Sequence, residues 1–236
     1  MTSSEILLGG LDCFVASPPS DAAVFHKDRA IVFATDIFGW QLKEAREIAQ
    51  RVSNASNCRV FIPDIIRNGD ALKTTFDRSE LGPWFDRHGD QQTPPLLAQA
   101  IAGLRKDEGV KVVIASGFCW GGRYSLLASY GESPIVDGFA VAHPSRTVAA
   151  DYASANTPGL FLLAETDSSF PAEVVAEVKT LCEKKDFTFC GPFPGTNHGY
   201  AIRGSDEDAL VAAARTESVN QLAKFMEYVA TKMAGQ

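Results

Sequence analysis

Short apolar segments alternate with amphipathic ones along most of the chain, and this alternation constrains the fold more than any single motif. Residues 29–35 (RAIVFAT), 58–62 (CRVFI), 110–115 (VKVVIA), 136–142, 159–164 and 187–191 are β-prone apolar runs. Between them, residues 41–53 put Leu42, Ala45, Ile48, Ala49 and Val52 on one helical face. Residues 94–104 do the same with Leu96, Leu97, Ala100, Ile101 and Leu104. Residues 121–130, 171–184 and 206–233 read as further helices, the last long and amphipathic. Strands that read as continuous apolar runs, each followed by a helix, predict an α/β architecture. Its central sheet is mostly parallel and is covered by helices on both faces. Right-handed crossovers then gather the loops that follow the strands at one sheet edge, where functional residues are expected. The 236 residues show no repeat or long linker, so residues 1–236 are expected to form a single domain. Residues 68–93 fit the scheme poorly, with Phe76, Trp84 and Phe85 set among charges. They read either as short helices over the site or as a packed surface excursion.

Composition excludes several classes. Twenty-two basic and 29 acidic residues leave a net charge of −7. An acidic balance argues against non-specific nucleic-acid binding, which needs clustered Lys and Arg. No apolar run reaches the roughly 18–20 residues of a membrane span. The start, MTSSEILLGGLDCF, lacks the basic and apolar regions of a signal peptide. Five widely spaced cysteines without C-x-x-C are expected to be reduced thiols in a cytoplasmic protein. With no H-E-x-x-H, no Cys/His cluster and no phosphate-binding glycine loop, neither a metal nor a cofactor is expected. The sequence is compatible with a monomer or a homodimer.

The chemistry concentrates after the run 110–115, in Ser116-Gly117-Phe118-Cys119-Trp120-Gly121-Gly122. This is a nucleophile elbow with sulfur in place of oxygen: a reactive side chain on a sharp strand-to-helix turn. Such a turn requires small neighbours, which Gly117 and Gly121 provide. The helix beginning there points its N–H groups and positive dipole end towards the sulfur, favouring thiolate. The backbone N–H of Trp120 is placed to bind an oxyanion. Cys13, Cys58, Cys182 and Cys190 have no such setting and read as small hydrophobes.

A cysteine nucleophile needs a base, and the base needs an orienting acid, in the chain order nucleophile, acid, histidine. Of four histidines, His26 and His88 precede the elbow. His198, in Gly195-Thr196-Asn197-His198-Gly199-Tyr200, follows the last strand and precedes the long helix. It is the expected base. Asp167 follows the preceding strand and is the expected acid, with Glu165 as the competing one. His143 also sits at a strand end, but too early to follow an acid. It reads as a pocket-wall residue or as a histidine bonded to a loop backbone.

Taken together, these pieces resemble the dienelactone hydrolase (carboxymethylenebutenolidase-like) family of the α/β-hydrolase fold. The matching segments are Thr35-Asp36-Ile37-Phe38-Gly39-Trp40, Gly117-Phe118-Cys119-Trp120-Gly121-Gly122, Asp167 with Pro171 four residues on, and His198-Gly199-Tyr200. The resemblance implies a Cys119–His198–Asp167 triad and an oxyanion hole from the backbone N–H groups of Ile37 and Trp120. It also implies that Asp36 stands where family members carry a Glu that contacts the resting thiol; the alternative for the shorter Asp is a loop-capping acceptor. Arg203 would be the counterpart of the arginines that hold a substrate carboxylate, with Arg78 and Arg87 as weaker candidates. The competing role for Arg203 is pairing with Asp206 or Glu207.

The function expected is hydrolysis of a small-molecule lactone or activated ester, carboxylated or neutral, through a thioester. A different class stays open: a ligand-binding or redox-sensing module in which Cys119 oxidises reversibly.

Overall fold

The computed structural model describes residues 2–235. The chain order is β1 (Thr2–Leu8), β2 (Leu11–Ser17), β3 (Arg29–Ala34), α1 (Lys43–Ser56), β4 (Arg59–Pro63), α2 (Leu81–Arg87), α3 (Thr93–Asp107) and β5 (Val112–Phe118). It continues with α4 (Trp120–Leu127), β6 (Gly138–Ala142), α5 (Ala149–Ala153), β7 (Gly159–Thr166), α6 (Ala172–Cys182), β8 (Phe187–Asn197), α7 (Tyr200–Arg203) and α8 (Ala209–Ala234). The eight strands form one sheet in the order β1-β2-β4-β3-β5-β6-β7-β8. From β4 to β8 all neighbours are parallel, while β1–β2 and β2–β4 are antiparallel.

The strand period of two divides each inner strand between two cores. Ile31 and Phe33 of β3 join Val112 and Ile114 of β5 under α1 and α8. Ala30 and Val32, with Val113 and Ala115, face the opposite layer of α3 and α4. Phe139, Phe161 and Leu163 extend that second layer under α5 and α6. Helix α8 seats Leu222, Phe225, Met226 and Val229 on the sheet. Burying a side chain of this size contributes about 1.5–3 kcal/mol. These layers on both faces of the inner strands are what the alternating pattern predicts.

The N-terminal hairpin was not among the expected elements. Gly9 and Gly10, with φ of 57° and 85°, make its two-residue turn. Left-handed conformations at both central positions match the twist of a hairpin. The turn rests on α3, where a Cβ on Gly103 would stand 2.7 Å from Gly9 N.

Of the six parallel strands, five lead into the residues of interest at the same edge. Asp36 comes two residues after β3, Cys119 one after β5, His143 one after β6, Asp167 one after β7 and His198 one after β8. The expected site residues thus follow strand C-termini or open the next helix, except Arg203, which ends α7.

Candidate active site

Strand β5 ends at Phe118 and α4 begins at Trp120, so Cys119 alone makes the turn. Its φ of 52° and ψ of −118° lie where residues with a side chain rarely fall. Such a conformation costs about 1–3 kcal/mol and persists only where its surroundings enforce it. Here Cys119 N–H donates to the Ala142 carbonyl at 3.2 Å. The Cys119 carbonyl accepts from Gly122 N–H at 3.1 Å and Ser145 N–H at 3.0 Å. The elbow glycines are needed for close approach. A Cβ on Gly121 would collide with the carbonyl oxygen of Ala34, and one on Gly117 with the Gly121 carbonyl and Ser125 Oγ. The Cys119 side chain remains partly exposed, with Ser145 Oγ 3.7 Å from its sulfur. Ser145 had no sequence signal beyond its place just after a strand end.

Asp167 and His198 meet because β7 and β8 pair Thr166 with Asn197, which makes the next residue of each strand neighbours. His198 Nδ1–H donates to the Asp167 carboxylate, at 2.8 and 2.9 Å from its two oxygens. Asp167 Oδ1 also accepts from Ser169 N–H at 2.8 Å, which fixes the carboxylate. Glu165 points elsewhere, accepting from Gly195 N–H at 2.9 Å, so Asp167 is the acid that orients the imidazole. Burial alone would push the His198 imidazole down. The hydrogen bond His198 donates to Asp167, then the hydrogen bond to Cys119 and its charge, overcome it and hold His198 up at about 10.

Asp36 is fully buried. Its Oδ1 accepts from Phe38 N–H at 3.1 Å and its Oδ2 from Arg203 Nε at 3.0 Å. Burial pushes the Asp36 carboxyl up, opposed by Arg203, Phe38 N–H and His198. Asp36 is therefore both a loop cap and the anchor of Arg203, and the expected thiol contact gives way to these partners. The pairing of Arg203 with Asp206 or Glu207 is replaced too: Arg215 takes Asp206. The Arg203 guanidinium lies 4.9 Å from the Phe38 ring centroid and against Gly199. Arg87 is committed to Asp70 at 2.9 and 3.0 Å. Among the described residues, no acceptor pairs with the backbone N–H of Ile37. That of Trp120, first residue of α4, has no intrahelical partner.

The reading of His143 as a histidine bonded to a loop backbone does not hold: its ring is completely buried and, among the described residues, neither nitrogen has a hydrogen-bond partner. The excursion 68–93 contains a 3-10 turn and α2, and packs over this edge. Leu72 N–H donates to the Ile37 carbonyl at 2.9 Å. Trp84 packs edge-on to Trp120, with ring centroids 4.9 Å apart. Phe85 lies 4.3 Å below the Arg146 guanidinium. A cleft of about 590 Å³ lies among Asp70, Lys73, Phe76 and Arg87, on this excursion and away from Cys119. Among the described residues, no group of three or more His, Cys, Asp or Glu could hold a metal ion. Nor, among the described residues, is any helix long and apolar enough to cross a membrane.

A sheet in this order, with the loops that follow its parallel strands gathered beyond their carboxyl ends, is the α/β-hydrolase fold, and this chain has that fold. Within that class it belongs to the dienelactone hydrolase family, whose sequence model matches residues 11–230. It is accordingly a hydrolase of esters or lactones. A carboxymethylenebutenolidase homolog of Xenopus tropicalis is 28% identical over 208 residues, covering 86% of this chain and 80% of the relative. An endo-1,3;1,4-beta-D-glucanase of Zea mays is 29% identical over 223 residues, covering 91% of this chain and 68% of that protein. The crystal structure of a dienelactone hydrolase from Anabaena variabilis superposes with a TM-score of 0.61 at 16% identity, covering 92% of this chain and 96% of that one.

Proposed function

We propose that Cys119 is the nucleophile of a Cys119–His198–Asp167 triad and that hydrolysis of the lactone or activated ester runs through a thioester on its sulfur. The observation that supports this most is the strained conformation of Cys119, held at the elbow while a carboxylate-bonded histidine acts on its sulfur. His198 holds the proton of the Cys119 thiol as the sulfur attacks. A C–S bond forms at the carbonyl carbon. The oxyanion is met by the N–H groups of Ile37 and Trp120, each such donor typically contributing about 3–4 kcal/mol. Collapse expels the alkoxide or enolate, which takes the proton from His198. The acylated sulfur has lost its charge and its proton-accepting pair, so two of the influences that hold His198 up disappear. The imidazole drops towards its ordinary range and becomes a base. It takes a proton from water as the water oxygen bonds to the acyl carbon; the C–S bond then breaks and the electron pair returns to sulfur. Good leaving groups suit this chemistry, because sulfur is itself readily expelled.

Arg203 is proposed to bind a carboxylate on the substrate. Its Nε is occupied by Asp36, while its two terminal nitrogens pair with no acceptor among the described residues. A fork held in this way can accept an anion through charge-assisted hydrogen bonds. Glycan hydrolysis, which the name of the maize relative suggests, needs two carboxylates flanking one bond. Asp167 is committed to His198 and Asp36 to Arg203, which favours ester chemistry. Reversible oxidation of Cys119 would need neither the Asp167–His198 bond nor the free N–H groups. Assay of p-nitrophenyl acetate tests the proposal: Cys119→Ala is expected to fold normally and lose turnover. Turnover equal to that of the unmodified protein in Cys119→Ala would exclude it. Labelling by peroxide without turnover in the unmodified protein would favour the sensor.

A further inference from the structure

His143 is completely buried, and among the described residues neither Nδ1 nor Nε2 has a hydrogen-bond partner. A neutral imidazole has one donor and one acceptor, and leaving both unmet in the interior is destabilising. The backbone is strained as well, with φ of 39° at His143 and 59° at Arg146. The loop between them is nonetheless tied to the elbow. Ser145 N–H donates to the Cys119 carbonyl at 3.0 Å, and Arg123 Nη1 to the Arg146 carbonyl at 2.9 Å. A loop that is unfavourable in two ways and bonded to the nucleophile turn calls for a function.

What His143 does touch is aromatic. Its ring centroid lies 5.1 Å from that of His198 at an interplanar angle of 68°. It lies 5.6 Å from Tyr200 and 6.1 Å from Phe118. Burial, then the charges of His198 and Arg203, push the His143 imidazole well below its ordinary value and keep it neutral. A neutral ring beside an imidazole that carries a proton suits an edge-to-face contact, whereas a charged one would repel it.

We infer that His143 is a positioning residue, an aromatic wedge that holds the His198 ring in line between Asp167 and Cys119, and that its ring and not its nitrogens does this. The choice of histidine follows from the backbone: among residues with a side chain, His is one of the few enriched at positive φ. Ring and backbone requirements can therefore be separated. His143→Phe keeps a ring and gives up the backbone preference. His143→Asn keeps the backbone preference and polar groups and gives up the ring.

The inference rests on the proposed triad, so the test reads the thiol before it reads turnover. Iodoacetamide alkylation of Cys119 is followed against pH by peptide mass mapping, beside kcat and KM for p-nitrophenyl acetate and thermal melting of each variant. His143→Phe should keep the alkylation profile and stay within about threefold in kcat. His143→Asn should melt as a folded protein. Its alkylation midpoint should move to higher pH and its kcat fall about tenfold or more at little-changed KM, since small misplacements of a catalytic group cost up to about a hundredfold. A wild-type profile in His143→Asn would overturn the inference whether or not His143→Phe folds. A folded His143→Phe as impaired as His143→Asn would overturn it too, assigning the work to the nitrogens. Failure of the triad itself has a different signature: Cys119 labelling no faster than the other four cysteines, with turnover surviving Cys119→Ala.

Discussion

Arg203 depends on Asp36 for its position, and Asp36 depends on Arg203 for its charge. Removing the arginine would leave a buried carboxylate without its cation, at about 3–5 kcal/mol, so Arg203→Ala confounds binding with folding. Arg203→Lys keeps the charge and removes the planar fork. The expected outcome is a KM about tenfold higher for an ester bearing a free carboxylate, with a matched neutral ester unchanged; equal losses on both would remove Arg203 from substrate binding. The sequence made Cys119, Asp167 and His198 legible because each sits in a local pattern: a Gly-flanked turn, a strand end, a Gly-flanked loop. The Asp36–Arg203 pair joins residues far apart in the chain, and only the fold brings them to 3.0 Å. The sequence already favours Asp167 over Glu165; the register of β7 against β8 supplies the physical reason, placing Asp167 beside His198.

The elbow is the element on which the site turns, and its glycines are its most exacting requirement. A methyl group on Gly121 would meet the carbonyl oxygens of Ala34 and Thr35, both rigid backbone at the end of β3. Gly121→Ala should therefore destabilise the protein by about 1–3 kcal/mol or more, as overpacking does, and should reduce turnover beyond the loss of folded protein. Urea denaturation with an esterase assay checks both; a variant as stable and active as the parent would mean that α4 does not press on β3 as described. Periodicity located most helices and inner strands to within a few residues. It stopped short where turn-forming residues continue a ladder. β5 runs on through Ser116 and Gly117 to Phe118. β8 runs past Gly191 and Pro192 to Asn197, with register shifts against β7. The hairpin of β1 and β2 had a usable signal in Gly9-Gly10 between apolar runs, but the alternation of strand and helix directs attention away from an antiparallel start.

At the scale of the whole molecule, five strands bring site residues in their following loops to one edge, and the proton affinity that His198 acquires there links stability to pH. The His198 pKa is raised from 6.5 to about 10 in the folded state. A group raised on folding contributes stability that is fully present below its unfolded pKa and is lost as pH rises through its folded one. The stability gap between the protein and His198→Gln should therefore be largest near pH 6 and shrink towards about pH 10, as urea midpoints would report. A constant gap would mean that the imidazole gains no proton affinity from Asp167 and Cys119. The central claim is that the reaction passes through an acyl group on Cys119. Rapid acid quench of the protein during turnover of p-nitrophenyl acetate, followed by peptide mass mapping, tests it most directly. The account predicts an acetyl group on the Cys119 peptide that forms and decays with turnover, and none on Cys13, Cys58, Cys182 or Cys190. Turnover with Cys119 unacetylated at every quench time would contradict it.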